Sequence, residues 1–145
     1  MTRAVAAALL LVLAHGAAAE DPADRFLAAR CVELDSAGIC AVYGVSMVEL
    51  LANPERFHGR TVSVRGYVRL EFEGNAIYLS KESYEARSTR DALWLDPPAQ
   101  SAPAGPGATW GPGYAHVRGR FDALDRGHMG MYSGAIVKTT HFVPR

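Results

Sequence analysis

Residues 61–70 read Thr-Val-Ser-Val-Arg-Gly-Tyr-Val-Arg-Leu, and their alternation decides the fold class. Val62, Val64, Val68 and Leu70 take one side, and Ser63, Arg65, Tyr67 and Arg69 take the other. A period of two is the signature of a strand with one buried face. Gly66 interrupts the apolar side, which predicts a bulge or sharp bend. Outward from this strand, Glu71 to Asn75 ends in Gly74-Asn75 and predicts a hairpin connection. Ala76 to Ser80 is a second strand with Ile77 and Leu79 inward and Tyr78 outward. Lys81 to Thr89 is polar with room for a helical turn. Ala92 to Asp96 is a third strand, with Leu93 and Leu95 inward and Trp94 outward. Tyr114 to Ala123 repeats the first pattern, with Val117 and Phe121 inward and Gly119 placed much as Gly66 is, and Met131 to Val143 supplies a final strand or two.

Between the third and fourth strands, Pro97 to Gly113 is crowded with proline and glycine, which predicts a mobile loop carrying Trp110. On the N-terminal side, Ser46 and Glu49 form a capping box ahead of Met47, Val48, Leu50 and Leu51, and Asn53-Pro54 ends that short helix. A short helix, a glycine-bent strand, a hairpin, a third strand, a long connection and a closing strand suggest a mainly β, five-stranded Greek-key barrel.

The chain before residue 46 has a different character. Arg3, the apolar run 4–14, and the small residues Ala17 and Ala19 ahead of Glu20 and Asp21 make the pattern of a cleaved secretory signal peptide over residues 1–19. That run is too short to be a permanent membrane span. The expected location is therefore periplasmic or secreted, with no stable membrane insertion. Residues 20–45 form a lead-in with little periodicity, apart from a short helix over Asp24–Arg30. Cys31 and Cys40 lie in it, and in an oxidising compartment an even pair reads as a disulfide. Nine positions of separation with no His nearby is a poor match to a redox or metal pair. Residues 46–145 are then the barrel domain.

Three stretches carry a resemblance. NPERFHGRTVSVRGYV (53–68), LEFEGNAIYLSKESYE (70–85) and GHMGMYSGAI (127–136) together resemble a set of uncharacterised small secreted bacterial proteins with a tRNA-anticodon-binding-like OB domain. The resemblance implies an OB fold over about residues 46 to 143 and brings no catalytic residues with it. The anticodon label does not imply RNA here. Once Arg3 is removed with the signal peptide, acidic residues outnumber Lys and Arg by one, whereas nucleic-acid binders carry a basic excess.

The alternation places Arg65, Tyr67, Arg69, Tyr78 and Trp94 on one outward side of three successive strands. Aromatic rings with arginines suit stacking against sugars or a partner's side chains, and the OB binding surface lies around strands 2 and 3. The plainer reading is that these side chains pair across strands or are covered by the N-terminal segment. A second cluster, His128, Met129 and Met131, has the soft donors that select Cu(I). Its plainer reading is a glycine-flexed turn whose methionines fill the barrel end. No G-x-S-x-G, HExxH or phosphate-cradling glycine loop occurs, so no enzyme and no cofactor are expected. The function expected is a non-catalytic extracytoplasmic module that contacts a protein or glycan. The alternative is a small copper-binding protein.

Overall fold

The computed structural model describes residues 21–71, 74–97 and 109–144. The expected signal peptide, and most of the Pro/Gly-rich connection, lie outside these residues. Asp21 caps α1 (Pro22–Ala28) by accepting from the Ala23 N–H. A hairpin of β1 (Cys31–Leu34) and β2 (Cys40–Ser46) follows, and the Cys31–Cys40 disulfide ties it. Ser46 then starts α2 (Met47–Ala52) through the expected capping box, in which the Ser46 Oγ accepts from the Glu49 N–H. The helix stops at Asn53, and Pro54 opens a further helical turn, α3 (Pro54–Phe57). The remaining elements are β3 (Thr61–Glu71), β4 (Ala76–Tyr78), α4 (Lys81–Glu85), β5 (Ala92–Leu95), β6 (Thr109–Asp122) and β7 (Ala135–Pro144).

These seven strands form one mixed sheet, two strands more than expected. The additional pair comes from the segment read as a lead-in. β2 lies parallel to β3, with Tyr43 opposite Val62 and Ser46 opposite Arg65. Val42, Tyr43 and Val45 are buried there. A four-residue apolar stretch next to a strong helix cap gives too few repeats for periodicity to register. β3 pairs antiparallel with β4, β4 with β5, β5 runs parallel to β7, and β7 is antiparallel to β6. β6 in turn pairs antiparallel along the whole length of β3.

β3 changes partner along one edge. Residues 62–65 face β2, and residues 67–69 face β4. Gly66 sits at the change, where a Cβ would lie 2.4 Å from Ile77 Cγ1 and 2.8 Å from the Tyr78 carbonyl oxygen. The glycine is there because the neighbouring strand fills its side-chain space, and pairing with Ala115 runs through it in register. A bulge occurs instead opposite Gly119, where β7 carries the extra residues between Val137 and His141.

Three further expectations are corrected. β6 begins at Thr109, so residues 109–113 belong to a strand and not to a loop. The register shift between Val68 and Leu70 places Gly111-Pro112 in a bulge, where proline's missing donor is tolerated. β4 ends at Tyr78, and Leu79 is 37% exposed instead of inward. Residues 131–134 precede β7, which is a single strand.

The main core contains Val62, Val64, Val68, Leu70, Ile77, Leu93, Leu95, Val117, Phe121 and Ile136, capped by Met47 and Leu50 of α2 and Phe57 of α3. Each such side chain contributes about 1.5–3 kcal/mol on burial. No helix among the described residues is long and apolar enough to cross a membrane.

Candidate functional site

The outward side of the same strands carries a second cluster. Cross-strand register aligns Tyr114, Tyr67, Tyr78 and Ala92 in one row, and Arg69, Ala76 and Trp94 in the next. Tyr67, Ala76, Tyr78, Ala92 and Tyr132 are buried together, with Tyr84, Trp94 and Tyr114 packed on them. The two alanines are small, and they leave room over the sheet for rings from outside it. α4 delivers Tyr84, whose ring centroid is 5.5 Å from Tyr67 and 5.4 Å from Tyr78. The segment before β7 delivers Tyr132, 5.5 Å from Trp94. Tyr67 and Tyr114 meet edge-on at 5.2 Å, the arrangement that the ring quadrupoles favour.

The five outward residues therefore separate into two groups. Tyr67 and Tyr78 are each only 8% exposed, and Trp94 is half-buried against them. Arg65 and Arg69 lie at the margins. Arg65 stacks its guanidinium 4.7 Å over the Tyr114 ring. Arg69 donates from Nε to Glu71 Oε2 and from Nη1 to the Gly111 carbonyl, both at 3.2 Å. The cover over the tyrosines comes from α4 and residues 126–133, and not from the N-terminal segment.

The His128, Met129 and Met131 cluster proves to be part of the same neighbourhood. Gly127 has φ +59, and a Cβ on it would lie 2.5 Å from Trp94 Cβ and Cγ, so the backbone of this loop rests directly on the indole. His128 then stacks on Trp94 at 6.5 Å with the planes 27° apart. Met129, also left-handed at φ 54, projects its side chain into solvent at 82% exposure. Among the described residues no group of three or more His, Cys, Asp or Glu is arranged to hold a metal ion.

A cleft opens beside the tyrosine cluster, lined by Glu71, Tyr78, Tyr84, Glu85, Arg87 and Thr89, with a volume of about 520 Å³. α4 positions Tyr84 and Glu85 because Ser80 caps it, accepting from the Ser83 N–H at 3.2 Å. Arg87, one residue past the C-cap Ala86, takes a left-handed φ of 55° and lines the cleft with Thr89. Glu71 stands at the end of β3, where its N–H donates to Asn75 Oδ1. Burial pushes the Tyr78 hydroxyl up to about 12, helped by its hydrogen bond with Tyr132 and by the Glu71 carboxylate. Burial also raises Tyr132. Both phenols are therefore neutral hydrogen-bonding groups at any physiological pH.

Sequence reasoning missed Tyr84, Tyr114 and Tyr132, together with Glu85 and Arg87. Tyr114 opens the fourth alternating run and shares its outward parity with His116 and Arg118, whereas Tyr84 and Tyr132 lie in segments without alternation. Comparison of the chain with family models, curated proteins and solved structures finds no match.

Proposed function

We propose that this chain is a non-catalytic binding module of the extracytoplasmic space, built on a five-stranded OB-like barrel. Several features support the fold reading. The strands β3, β4, β5, β7 and β6 pair in that order, β6 returns to β3, and the one parallel contact within this ring joins β5 to β7. A closed ring of this kind leaves few exposed edges. The hairpin of β1 and β2 is an addition on the β3 edge. The disulfide supports an oxidising compartment, as does the signal-peptide pattern of residues 1–19.

The observation that carries the functional reading is the cleft at the rim of the tyrosine cluster. The expected aromatic face is largely covered by Tyr84 and Tyr132, and at its rim Tyr78 and the covering Tyr84 line the cleft. Two aromatic walls with two carboxylates, a guanidinium and a threonine hydroxyl suit a hydroxyl-rich ligand. The rings pack on the apolar face of a sugar, and the polar groups bond its hydroxyls. A glycan is therefore the ligand class favoured over a protein surface.

The test is saturation-transfer NMR with neutral oligosaccharides, comparing the wild-type protein with Tyr84→Ala. Saturation of sugar protons in the wild type, and an affinity reduced about tenfold in the variant, is the expected result. Equal binding by both proteins, or no saturation of any sugar, would remove the cleft as the site.

A second reading follows from the exposed Met129 thioether on the turn that holds His128. Cu(I) bound there would lie against Trp94 and quench its fluorescence. Quenching abolished by His128→Ala would establish this reading, and an unchanged emission on adding Cu(I) would end it.

A further inference from the structure

We infer a second binding site on this molecule, an anion groove on the outer side of β2, β3 and β6 that accepts a uronic-acid glycan through Arg65 and His116. The site is independent of the tyrosine cleft. The net charge of the chain is close to zero, yet the register gathers arginine and imidazole side chains on one patch. Arg65 lies directly opposite His116 across β3 and β6, and Arg118 lies directly opposite His141 across β6 and β7. Directly opposed side chains are about 4.5–5.5 Å apart at Cβ, close enough for a guanidinium and an imidazole N–H to donate to one anionic acceptor.

One of these two rows already holds its anion. Glu33, on the β1–β2 hairpin, places Oε2 2.8 Å from Arg118 Nη1. The neighbouring row of Arg65 and His116 has no such carboxylate among the described residues. Glu49, the acidic side chain among the groove's lining residues, is bound to Arg30 and to the N–H and hydroxyl of Ser46. Arg65 is stacked on Tyr114 through its guanidinium face, and stacking leaves the in-plane N–H donors for an acceptor.

The row opens into a groove of about 520 Å³, a volume in the range of small-ligand sites. Its floor is Gly44 and Ser63, which pair across β2 and β3, and its far wall is Val32 of β1. A pyranose ring fits this setting chemically. Its C–H face packs on Val32, its hydroxyls meet Ser63, and its carboxylate takes the charge-assisted bonds of Arg65 and His116. The hairpin residue Glu33 then acts as an internal substitute for the carboxylate of the next sugar along the row.

The experiment is titration of the full-length mature protein with polygalacturonate, with neutral dextran and duplex DNA as comparison polymers. Arg65→Gln should weaken polygalacturonate binding about tenfold, the loss expected for one charge-assisted hydrogen bond. Glu33→Gln should strengthen it several-fold by releasing Arg118. This variant removes only an exposed ion pair, so folding is retained. Tyr84→Ala, in the other cleft, should leave polygalacturonate binding unchanged. Unaltered affinity in Arg65→Gln, or weaker binding in Glu33→Gln, would overturn the site. DNA binding as tight as polygalacturonate binding would overturn the choice of a uronate ligand.

Discussion

The two sides of the same strands hold two kinds of core. Inside, Val62, Val64, Ile77, Leu93 and Phe121 are aliphatic or purely hydrocarbon and are fully buried. Outside, Tyr67, Tyr78 and Tyr132 are nearly as buried, but each carries a hydroxyl that must find a partner. The inner set has no requirement except volume. The outer set requires hydrogen bonds, a cover from α4 and residues 126–133, and an opening where the polar tips reach solvent. That opening is the cleft. The outer cluster is thus an incomplete core, packed over most of its area and open at one edge.

The largest expected effect tests the inner side. Phe121→Ala should cost about 3–5 kcal/mol of unfolding free energy, measured by urea denaturation, because a large ring leaves a cavity that the surrounding strands cannot close. A loss below about 1 kcal/mol would show that the inner side is as adaptable as the outer one.

Alkaline titration distinguishes the two sides more directly. The folded pKa of Tyr78 is raised to about 12 from an ordinary value near 10. The native state therefore holds its proton more tightly than the unfolded chain. The associated stability is complete below about pH 10 and is lost as pH rises through about 12. Tyrosinate absorbance should show the buried phenols ionising late, together with unfolding. Uniform ionisation near pH 10 would mean that the outer cluster is open to water.

The smallest effect separates hydrogen bonding from packing. Tyr132→Phe keeps the ring against Trp94 and removes the hydroxyl that bonds Tyr78. A loss of about 1 kcal/mol is expected, with the Tyr78 pKa moving down toward its ordinary value. If stability is unchanged, shape alone holds the outer cluster.

Much of the inner side was legible in the sequence. Alternation over Thr61–Leu70 and Tyr114–Ala123 named the buried valines and Phe121, the Ser46–Glu49 capping box located α2, and the even cysteine pair behind a signal-peptide pattern predicted the disulfide. Periodicity is a local signal, and these features are local. The rest depended on long-range pairing. β2 became a strand because β3 offered it an edge, and residues 109–113 were drawn into β6 by the end of β3 despite their glycines and proline. The outward face was legible as a row, yet its covering was not. Tyr84 and Tyr132 arrive from a helix and a loop whose return over the sheet no short pattern encodes. The Arg65–His116 and Arg118–His141 pairs were hidden in the same way, because net charge sums over the chain what register sorts by face.

β3 gives its two sides to these two environments from a single run of residues. A shift of its pairing by one position would turn Val62, Val64 and Val68 toward solvent and drive Arg65 and Tyr67 into the aliphatic interior. Neither side tolerates the other's residues, so the strand has one workable alignment and no near neighbours to it. An insertion or deletion ahead of Gly66 would therefore affect the core and both proposed binding surfaces in the same event. In evolutionary terms the two faces can be altered residue by residue, but their placement on β3 is inherited as a unit.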